Sequence, residues 1–332
     1  MRVTAIGLNP MDWMISSTPG LAAALGISLP SGFAHDFAGV VDEVGDAAPG
    51  FAVGDRVFGT VPSRAAADHL VLDRADTVYR TPDEIPDVVA STLTVAGLTA
   101  SAALSVIGVA ARDTVLIGGA AGGVGVFAVQ LARSAGATVI GTAAPQTAPF
   151  LRGLGAEPVA HGPGLAGRVA AIAAERVTAA TGLFGADAVH AALALGVEPR
   201  RISAIAAGSA LPPGVRSTGA RDAGPDAMGT LMDALRAGRL YVPVAVTFPL
   251  ERIRDAVTAQ AARHVHGKIV VTTGQRPGSA TPARPGCGRG RRSAPVLSRP
   301  GGWRGTARPR PAPGRPRPAS PRTRRRRVAR RG

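Results

Sequence analysis

A glycine-rich segment constrains the fold of this chain more than any other feature. Residues 115–125 read Val-Leu-Ile-Gly-Gly-Ala-Ala-Gly-Gly-Val-Gly. An apolar run, Thr114–Gly118, begins this segment, and apolar residues at helical spacing continue from it over Val124–Ala135. A strand that passes through a glycine turn into a helix leaves backbone amides free at the helix start, where the helix dipole also favours an anion. The segment therefore predicts a turn that binds the diphosphate of a dinucleotide.

Five residues of this turn are the candidate cofactor-binding positions. Gly122 allows the backbone to approach a diphosphate closely, and Gly125 allows the helix to pack against the strand. Ala120 stands where the usual pattern has its first glycine. No Gly-Lys-Ser/Thr follows, so the segment is not a P-loop. The candidates are Ala121, Gly122, Gly123, Val124 and Gly125.

Strand-like and helical patterns alternate after the turn. The predicted strands are Thr138–Thr142, Glu157–Ala160, Asp187–His190 and Arg201–Ala206, and the predicted helices are Pro149–Leu154 and Val169–Thr181. Such alternation is typical of a parallel sheet that helices cover on both faces. We therefore predict an α/β fold with a doubly wound parallel sheet.

The end of the second predicted strand bears on the choice of cofactor. An acid about 20 residues beyond the glycines would bind the ribose 2′-hydroxyl of NAD. Residues 141–146 read Gly-Thr-Ala-Ala-Pro-Gln, without an acid, and Thr142 and Gln146 are the polar side chains there. A 2′-phosphate would meet no repulsion, so the segment favours NADP over NAD, although no Arg or Lys stands beside it.

Two flanking regions predict a second, mostly β unit that would bind substrate. Residues 1–85 contain short strand-like runs between Gly and Pro turns, which indicate a mostly antiparallel sheet. Its predicted strands are Phe37–Val44, Arg56–Val61 and His69–Leu72. In the later region we predict helices at Asp226–Ala237 and Leu250–Ala262 and strands at Tyr241–Thr247 and Lys268–Thr272. The predicted segments are therefore 1–85, 86–220 for the dinucleotide domain, 221–275 as the return to the substrate domain, and a tail at 276–332.

The positive charge of the chain is confined to this tail. The formal net charge is +16, but residues 276–332 hold 18 Arg and no acid. Eleven Pro and nine Gly accompany these arginines, and apolar side chains are few. Such a segment cannot bury enough surface to offset its ordering entropy, so we predict disorder. Nucleic-acid binding through Arg324–Arg327 is the less favoured interpretation, because runs of like charge often lack a specific partner.

Several classes of protein and site are excluded by residue usage. The single cysteine, Cys287, lies in the tail, which rules out a disulfide framework, a cysteine-ligated zinc and a cysteine nucleophile elsewhere. His264 and His266 would need further ligands to hold a metal, so we predict no metal and expect both side chains to be solvated. Val88–Ala111 has no charge over 24 residues but consists mainly of small residues, so we expect a buried segment of a soluble domain. The first residues lack the features of a signal peptide, which predicts a cytoplasmic protein.

Several short motifs follow one another in the order of a known family. They are Gly7-Leu8-Asn9-Pro10-Met11-Asp12-Trp13, Asp36-Phe37-Ala38-Gly39-Val40-Val41, Val53-Gly54-Asp55-Arg56-Val57-Phe58-Gly59, Ala96-Gly97-Leu98-Thr99-Ala100, the Ala-Ala-Gly-Gly-Val-Gly turn, Leu154-Gly155-Ala156 and Gly267-Lys268-Ile269-Val270-Val271. With these motifs the chain resembles the medium-chain dehydrogenase/reductase superfamily, in particular its zinc-free quinone oxidoreductase (zeta-crystallin-like) branch.

The resemblance implies a fold, a reaction and a pocket. The fold would be a Rossmann domain within a split, GroES-like substrate domain. The reaction would be NADPH-dependent reduction of a small-molecule quinone or α,β-unsaturated carbonyl compound. By resemblance, Asn9, Asp12 and Trp13 line the pocket near the nicotinamide; alternatively, Asn9-Pro10 is a turn and Trp13 a core aromatic. The sequence points to no proton donor, and a quinone can take its proton from water. A homodimer is the common state of soluble enzymes.

The chain departs from the family pattern at both ends. Family members begin with additional strands before the Gly-Leu-Asn-Pro segment, so the resemblance implies a substrate domain that is truncated at its N-terminal side. The Arg/Pro-rich tail follows the segment near which family members end, and it resembles translation in a shifted reading frame. A protein that binds NADPH with little or no turnover is therefore the alternative prediction.

Overall fold

The strands form two sheets on which the rest of the chain is built. The computed structural model describes residues 1–45, 50–205 and 211–274. Among them the strands are β1 (Arg2–Leu8), β2 (Asp36–Val40), β3 (Arg56–Thr60), β4 (Thr77–Arg80), β5 (Thr114–Gly118), β6 (Thr138–Ala143), β7 (Glu157–Ala160), β8 (Ala179–Gly182), β9 (Ile202–Ala204), β10 (Arg216–Ser217), β11 (Val244–Pro249) and β12 (Lys268–Thr272).

Short helices connect most of these strands. They are α1 (Pro10–Ser17), α2 (Leu21–Ala24), α3 (Asp87–Ala90), α4 (Leu98–Ser105), α5 (Gly125–Ser134), α6 (Ala148–Gly153), α7 (Leu165–Ile172), α8 (Asp187–Ala194), α9 (Ala227–Arg236) and α10 (Ile253–Ala261). A π-helical turn at Leu93–Gly97 leads directly into α4. The segment Val88–Ala111 is thus helical in part, and six of the eight residues of α4 are buried. No described helix is long and apolar enough to cross a membrane.

The first sheet combines strands from both ends of the described chain. Its order is β11-β12-β1-β2-β3-β4. Strand β1 pairs antiparallel with β12 on one side, with Leu8 opposite Ile269, and with β2 on the other, with Gly7 opposite Asp36. Strand β11 runs parallel to β12, and the remaining pairs are antiparallel. This arrangement agrees with the prediction of a split, mostly β substrate domain.

The second sheet is parallel throughout, in the order β10-β9-β8-β5-β6-β7. Counted from β5, this is the strand order of a doubly wound Rossmann fold, in which the chain reverses its direction of winding between β5 and β8. Strand β5 is buried at all five positions, as expected for a strand covered on both faces. Dinucleotides bind outside the carboxyl ends of the strands at such a switch point. The predicted fold class is therefore confirmed, and the glycine turn after β5 lies at this point.

Three apolar clusters stabilise the two sheets. One contains residues of both sheets, including Phe58, Val115 and Phe127. The second packs α7 and α8 against the parallel sheet, and the third packs α10 and neighbouring loops against the first sheet. Since one apolar cluster is shared, the first sheet and the glycine turn are positioned by the same buried side chains.

Two predictions of secondary structure in the parallel region are wrong. The predicted helix Val169–Thr181 is instead the end of α7 followed by strand β8, and the predicted strand Asp187–His190 is the first turn of α8. Strand β8 reads Ala-Ala-Thr-Gly, a sequence with low strand propensity, and it is a strand because it pairs with both β5 and β9. Small residues are required there, because a Cβ on Gly182 would lie 2.9 Å from Val189 of α8.

Other predicted elements differ in extent or lie outside the described residues. His69–Leu72 is no strand and makes one isolated bridge, between His69 and Arg2. The predicted disordered tail at 276–332 lies outside the described residues. The segment boundaries at 85 and 220 stay predictions.

Candidate functional site

The glycine turn lies between the carboxyl end of β5 and the start of α5, where the sequence predicts it. Thr142, on the neighbouring strand β6, holds its first residues in place. The backbone N–H of Gly119 donates to Thr142 Oγ1 at 3.0 Å, and that of Ala120 donates to the Thr142 carbonyl at 3.2 Å. Thr142 is buried, so its hydroxyl serves the turn itself.

Gly125 allows the helix to begin directly against the turn. A Cβ at this position would lie 2.3 Å from the Gly119 carbonyl oxygen and 2.5 Å from atoms of Ala120. These are backbone atoms of the turn, so no side-chain rotation could relieve the overlap. By contrast, a Cβ on Gly122 would meet only the Gly119 oxygen, at 3.3 Å. The outer side of the turn is therefore open beside Gly122.

The turn presents backbone donors on its open side. Within the described residues, the N–H groups of Gly123, Val124 and Gly125 have no protein acceptor, whereas that of Val126 donates to the Gly122 carbonyl. Residues 121–124 are half-buried and so remain accessible. Free amides at the N-terminus of the ten-residue helix α5 attract anions through hydrogen bonds and the helix dipole. The open space and the donors fit a dinucleotide diphosphate, and the candidates Ala121 to Gly125 lie together in this cradle.

The residues that precede β12, a strand of the first sheet, contact the glycine turn. The N–H of Gly267 donates to the Ala121 carbonyl at 2.9 Å. The side chain of Lys268 passes beneath Gly123, with its Cδ 3.2 Å from where a Cβ on that glycine would lie. His266 reaches the end of β6, where its Nε2 lies 2.9 Å from Thr147 Oγ1. His266 is therefore half-buried against a partner, whereas His264 is exposed as expected. Gln146 is also exposed at the end of β6.

Two of the three predicted pocket residues lie in a buried polar cluster instead of facing open space. Asn9 and Asp12 are 3% and 4% exposed. The amide of Asn9 accepts a hydrogen bond from Lys268 Nζ at 2.7 Å and donates one to Asp36 Oδ2 at 2.9 Å. Asp12 accepts the N–H of Asn9 at 2.7 Å and contacts His35 Nδ1 at 2.7 Å. Both side chains of the pair are thus engaged with protein groups.

Burial changes the acid–base properties of this cluster. The Asp36 side chain is completely buried, which raises its pKa to about 7 although Lys268 and the hydrogen bond from Asn9 act in the opposite direction. Burial likewise lowers the pKa of Lys268, against the attraction of Asp36 and Asp12. Lys268 Nζ also donates to the Leu8 carbonyl at 2.9 Å. The cluster therefore links the first sheet to the chain that passes under the glycine turn.

Trp13, the third predicted pocket residue, faces a different environment. The guanidinium of Arg263 lies 5.8 Å from the Trp13 ring centroid and 4.6 Å from that of Phe184. Phe184 follows β8 and is 57% exposed, and its Cβ would lie 2.9 Å from a Cβ on Gly119 of the turn. The Nε1 atom of Trp13 is buried without a hydrogen-bond partner among the described residues. Arg263 therefore makes cation–π contacts with both Trp13 and Phe184, a group hereafter called the aromatic–arginine stack, beside the cofactor turn.

Sequence reasoning missed the roles of Lys268 and His266. One signal was available for Lys268: it is the sole lysine of a chain with 38 basic residues, so the other 37 are arginine. No local pattern connects His266 to Thr147, which is 119 positions away. The described residues contain no group of three or more His, Cys, Asp or Glu side chains that could hold a metal.

Comparison with known proteins gives the same assignment over most of the described residues. Residues 1–82 match the alcohol dehydrogenase GroES-like domain family, and residues 166–271 match the zinc-binding dehydrogenase family. The chloroplast envelope quinone oxidoreductase homolog of Arabidopsis thaliana is 35% identical over 168 residues, 48% of this chain and 50% of that protein. The chain thus spans about half the length of this curated relative.

Two solved structures extend the similarity to the whole fold. The quinone oxidoreductase from Coxiella burnetii superposes with a TM-score of 0.70 and 28% identity, and the similarity covers 82% of this chain and 89% of that one. The CurK enoyl reductase superposes with a TM-score of 0.71 and 26% identity, covering 82% and 90%.

Proposed function

The chain belongs to the medium-chain dehydrogenase/reductase superfamily, and from this premise we propose that it transfers hydride from NADPH to a quinone or an α,β-unsaturated carbonyl compound. The observation that carries the proposal is the open turn at the carboxyl end of β5, with donors at Gly123, Val124 and Gly125. A binding site for a diphosphate at a Rossmann switch point is typical of nicotinamide enzymes.

In this reaction the protein binds the cofactor and the substrate, orients them towards each other and excludes water from the site. In the proposal, the amides of the turn hold the diphosphate, and the aromatic–arginine stack forms one wall of the pocket for the ring that reacts. The bound cofactor supplies the hydride. Alignment of the two reacting groups lowers the barrier, and no metal is needed because a quinone oxygen can take its proton from water.

The choice of substrate class rests on the relatives and on the stack. Proteins similar to this chain are named as quinone oxidoreductases and as an enoyl reductase. Both substrate types are flat and conjugated, so they can lie against Trp13 or Phe184. The guanidinium of Arg263, which is 5.8 Å and 4.6 Å from the centroids of these rings, can donate a hydrogen bond to a carbonyl oxygen.

The preference for NADPH rests on the end of β6. Residues 141–147 offer no carboxylate to bind a ribose 2′-hydroxyl, so the NAD-specific contact is missing. We extend the proposal to a cytoplasmic homodimer that acts on a small-molecule substrate. It assigns no nucleic-acid or membrane partner to the chain.

The test separates binding from turnover. The full chain is titrated with NADPH by calorimetry, and then mixed with NADPH and benzoquinone, naphthoquinone or cyclohexenone while the absorbance of the reduced nicotinamide is followed. The proposal expects saturable binding and loss of absorbance with at least one acceptor. Binding without turnover on all acceptors would support the alternative of a cofactor-binding protein. Absence of binding would reject both.

A further inference from the structure

The carboxyl end of β6 is the place where a bound dinucleotide has its adenosine ribose. In this chain β6 ends at Ala143, and a turn of 3-10 helix follows at Pro145–Thr147. Enzymes that use NADP commonly place a cationic side chain near this position for the 2′-phosphate. Neither the strand end nor that turn contains Arg or Lys.

His266, in the segment that precedes β12, lies beside the turn that follows β6. Its Nε2 is 2.9 Å from Thr147 Oγ1, and its ring stacks on Phe150 with centroids 5.4 Å apart at 25°. The neighbouring residue, Gly267, is bonded to the turn through Ala121. Two contacts therefore hold the imidazole beside the turn that follows β6, and the hydrogen bond of Gly267 fixes the adjoining backbone. Where Thr147 donates to Nε2, the N–H of the neutral ring is on Nδ1, which is then a donor for a ligand.

The charges around His266 favour an anion. Residues 138–156 contain one charged side chain, Arg152, and residues 259–268 contain Arg263 and Lys268 but no acid. The next carboxylate along the chain is that of Glu157, which is paired with Arg152 at 3.4 Å. A dianionic phosphate monoester would be neither repelled nor left without a donor.

Resting on the proposed function, we propose that His266 recognises the 2′-phosphate of the cofactor and is the residue that distinguishes NADPH from NADH. The imidazole donates a hydrogen bond to a phosphate oxygen through its N–H group. A hydrogen bond to a charged group corresponds to about 10-fold to 100-fold in affinity. Substrate chemistry is unaffected, because the site lies at the adenosine end of the cofactor.

The experiment uses two adenosine nucleotides that differ by this phosphate alone. Binding of adenosine 2′,5′-bisphosphate and adenosine 5′-monophosphate is measured by calorimetry on the full chain, on His266→Gln and on His266→Arg. His264→Gln is the matched control, since this exposed histidine lies two residues away. We expect His266→Gln to weaken bisphosphate binding by about 10-fold or more and to leave monophosphate binding unchanged. His266→Arg should retain the preference, and the control should behave like the parent chain.

Other results overturn the assignment in distinguishable ways. If His266→Gln weakens the binding of both nucleotides equally, the histidine has a structural role. Equal affinity of the parent chain for both nucleotides would refute 2′-phosphate recognition while leaving the proposed oxidoreductase intact. A parent chain that binds neither nucleotide nor NADPH would reject the proposed function, and this assignment with it.

Discussion

The buried carboxyl of Asp36 should make the stability of this protein depend on pH in a direction opposite to that of most acids. Its pKa in the folded chain is about 7, against 3.8 for an unburied aspartate. Between these values the unfolded chain releases the proton and the folded chain keeps it. The free energy of unfolding therefore falls as pH rises through this range, and it levels off above about 7.

The size of this effect follows from the displacement of the pKa. About 1.4 kcal/mol per pH unit converts the difference between 3.8 and about 7 into roughly 4 kcal/mol. Among the residues that the structure describes, four carboxyls have a lowered pKa, those of Asp42, Asp55, Asp113 and Glu198, and they change the stability in the opposite direction at lower pH. The contribution of these four carboxyls cancels when the free energy of unfolding of a variant is compared with that of the parent chain at the same pH.

The substitution Asp36→Asn isolates the carboxyl, because asparagine keeps the shape and cannot ionise. Urea unfolding followed by circular dichroism gives the free energy of unfolding at a series of pH values. We expect the parent chain to lose about 4 kcal/mol relative to Asp36→Asn between about pH 4 and about pH 8. Asp233→Asn, at a carboxyl that is 70% exposed, is the control and should run parallel to the parent chain.

Lys268→Met provides a second test of the buried cluster around Asp36. Lys268 lowers the pKa of Asp36, so its removal should move the decline in stability to pH values above 7. Loss of one partner of a buried charge pair should also destabilise the chain by about 3–5 kcal/mol. A constant difference between the parent chain and Asp36→Asn over the whole pH range would refute the reasoning.

Two further substitutions test the turn and the contact that supports α5. Gly125→Ala places a Cβ 2.3 Å from the Gly119 oxygen and should lower stability by about 1–3 kcal/mol and weaken NADPH binding in calorimetry. Gly229→Ala, where a Cβ meets open space, should instead stabilise by about 0.5–1 kcal/mol; equal effects of the two would contradict this account. Gln130→Ala removes hydrogen bonds of 2.8 and 2.9 Å to the backbone of Tyr241. It should lower the free energy of unfolding in urea by about 1–3 kcal/mol. An unchanged urea midpoint would show that this contact does not stabilise the fold.

Local sequence determined the parts of the fold that depend on short, strongly patterned segments. The bounds of β5, β7 and β12 were predicted to the residue, because each is a short run bounded by turn-forming residues. The cofactor turn was predicted for the same reason: a glycine at 125 and free amides after a strand are properties of consecutive residues. The family motifs extended the prediction of the fold to both domains.

Tertiary structure decided what depends on partners distant in the chain. Strand β8 exists because β5 and β9 flank it, although its Ala-Ala-Thr-Gly sequence favours no strand. Asn9 was predicted to face the pocket, yet its amide is engaged by Lys268, 259 positions away. The position of His266 beside Thr147 depends on the pairing of β12 with β1, which brings the preceding segment to the parallel sheet. Hydrogen bonds of this kind are set by packing between sheets, and no local pattern of residues encodes them.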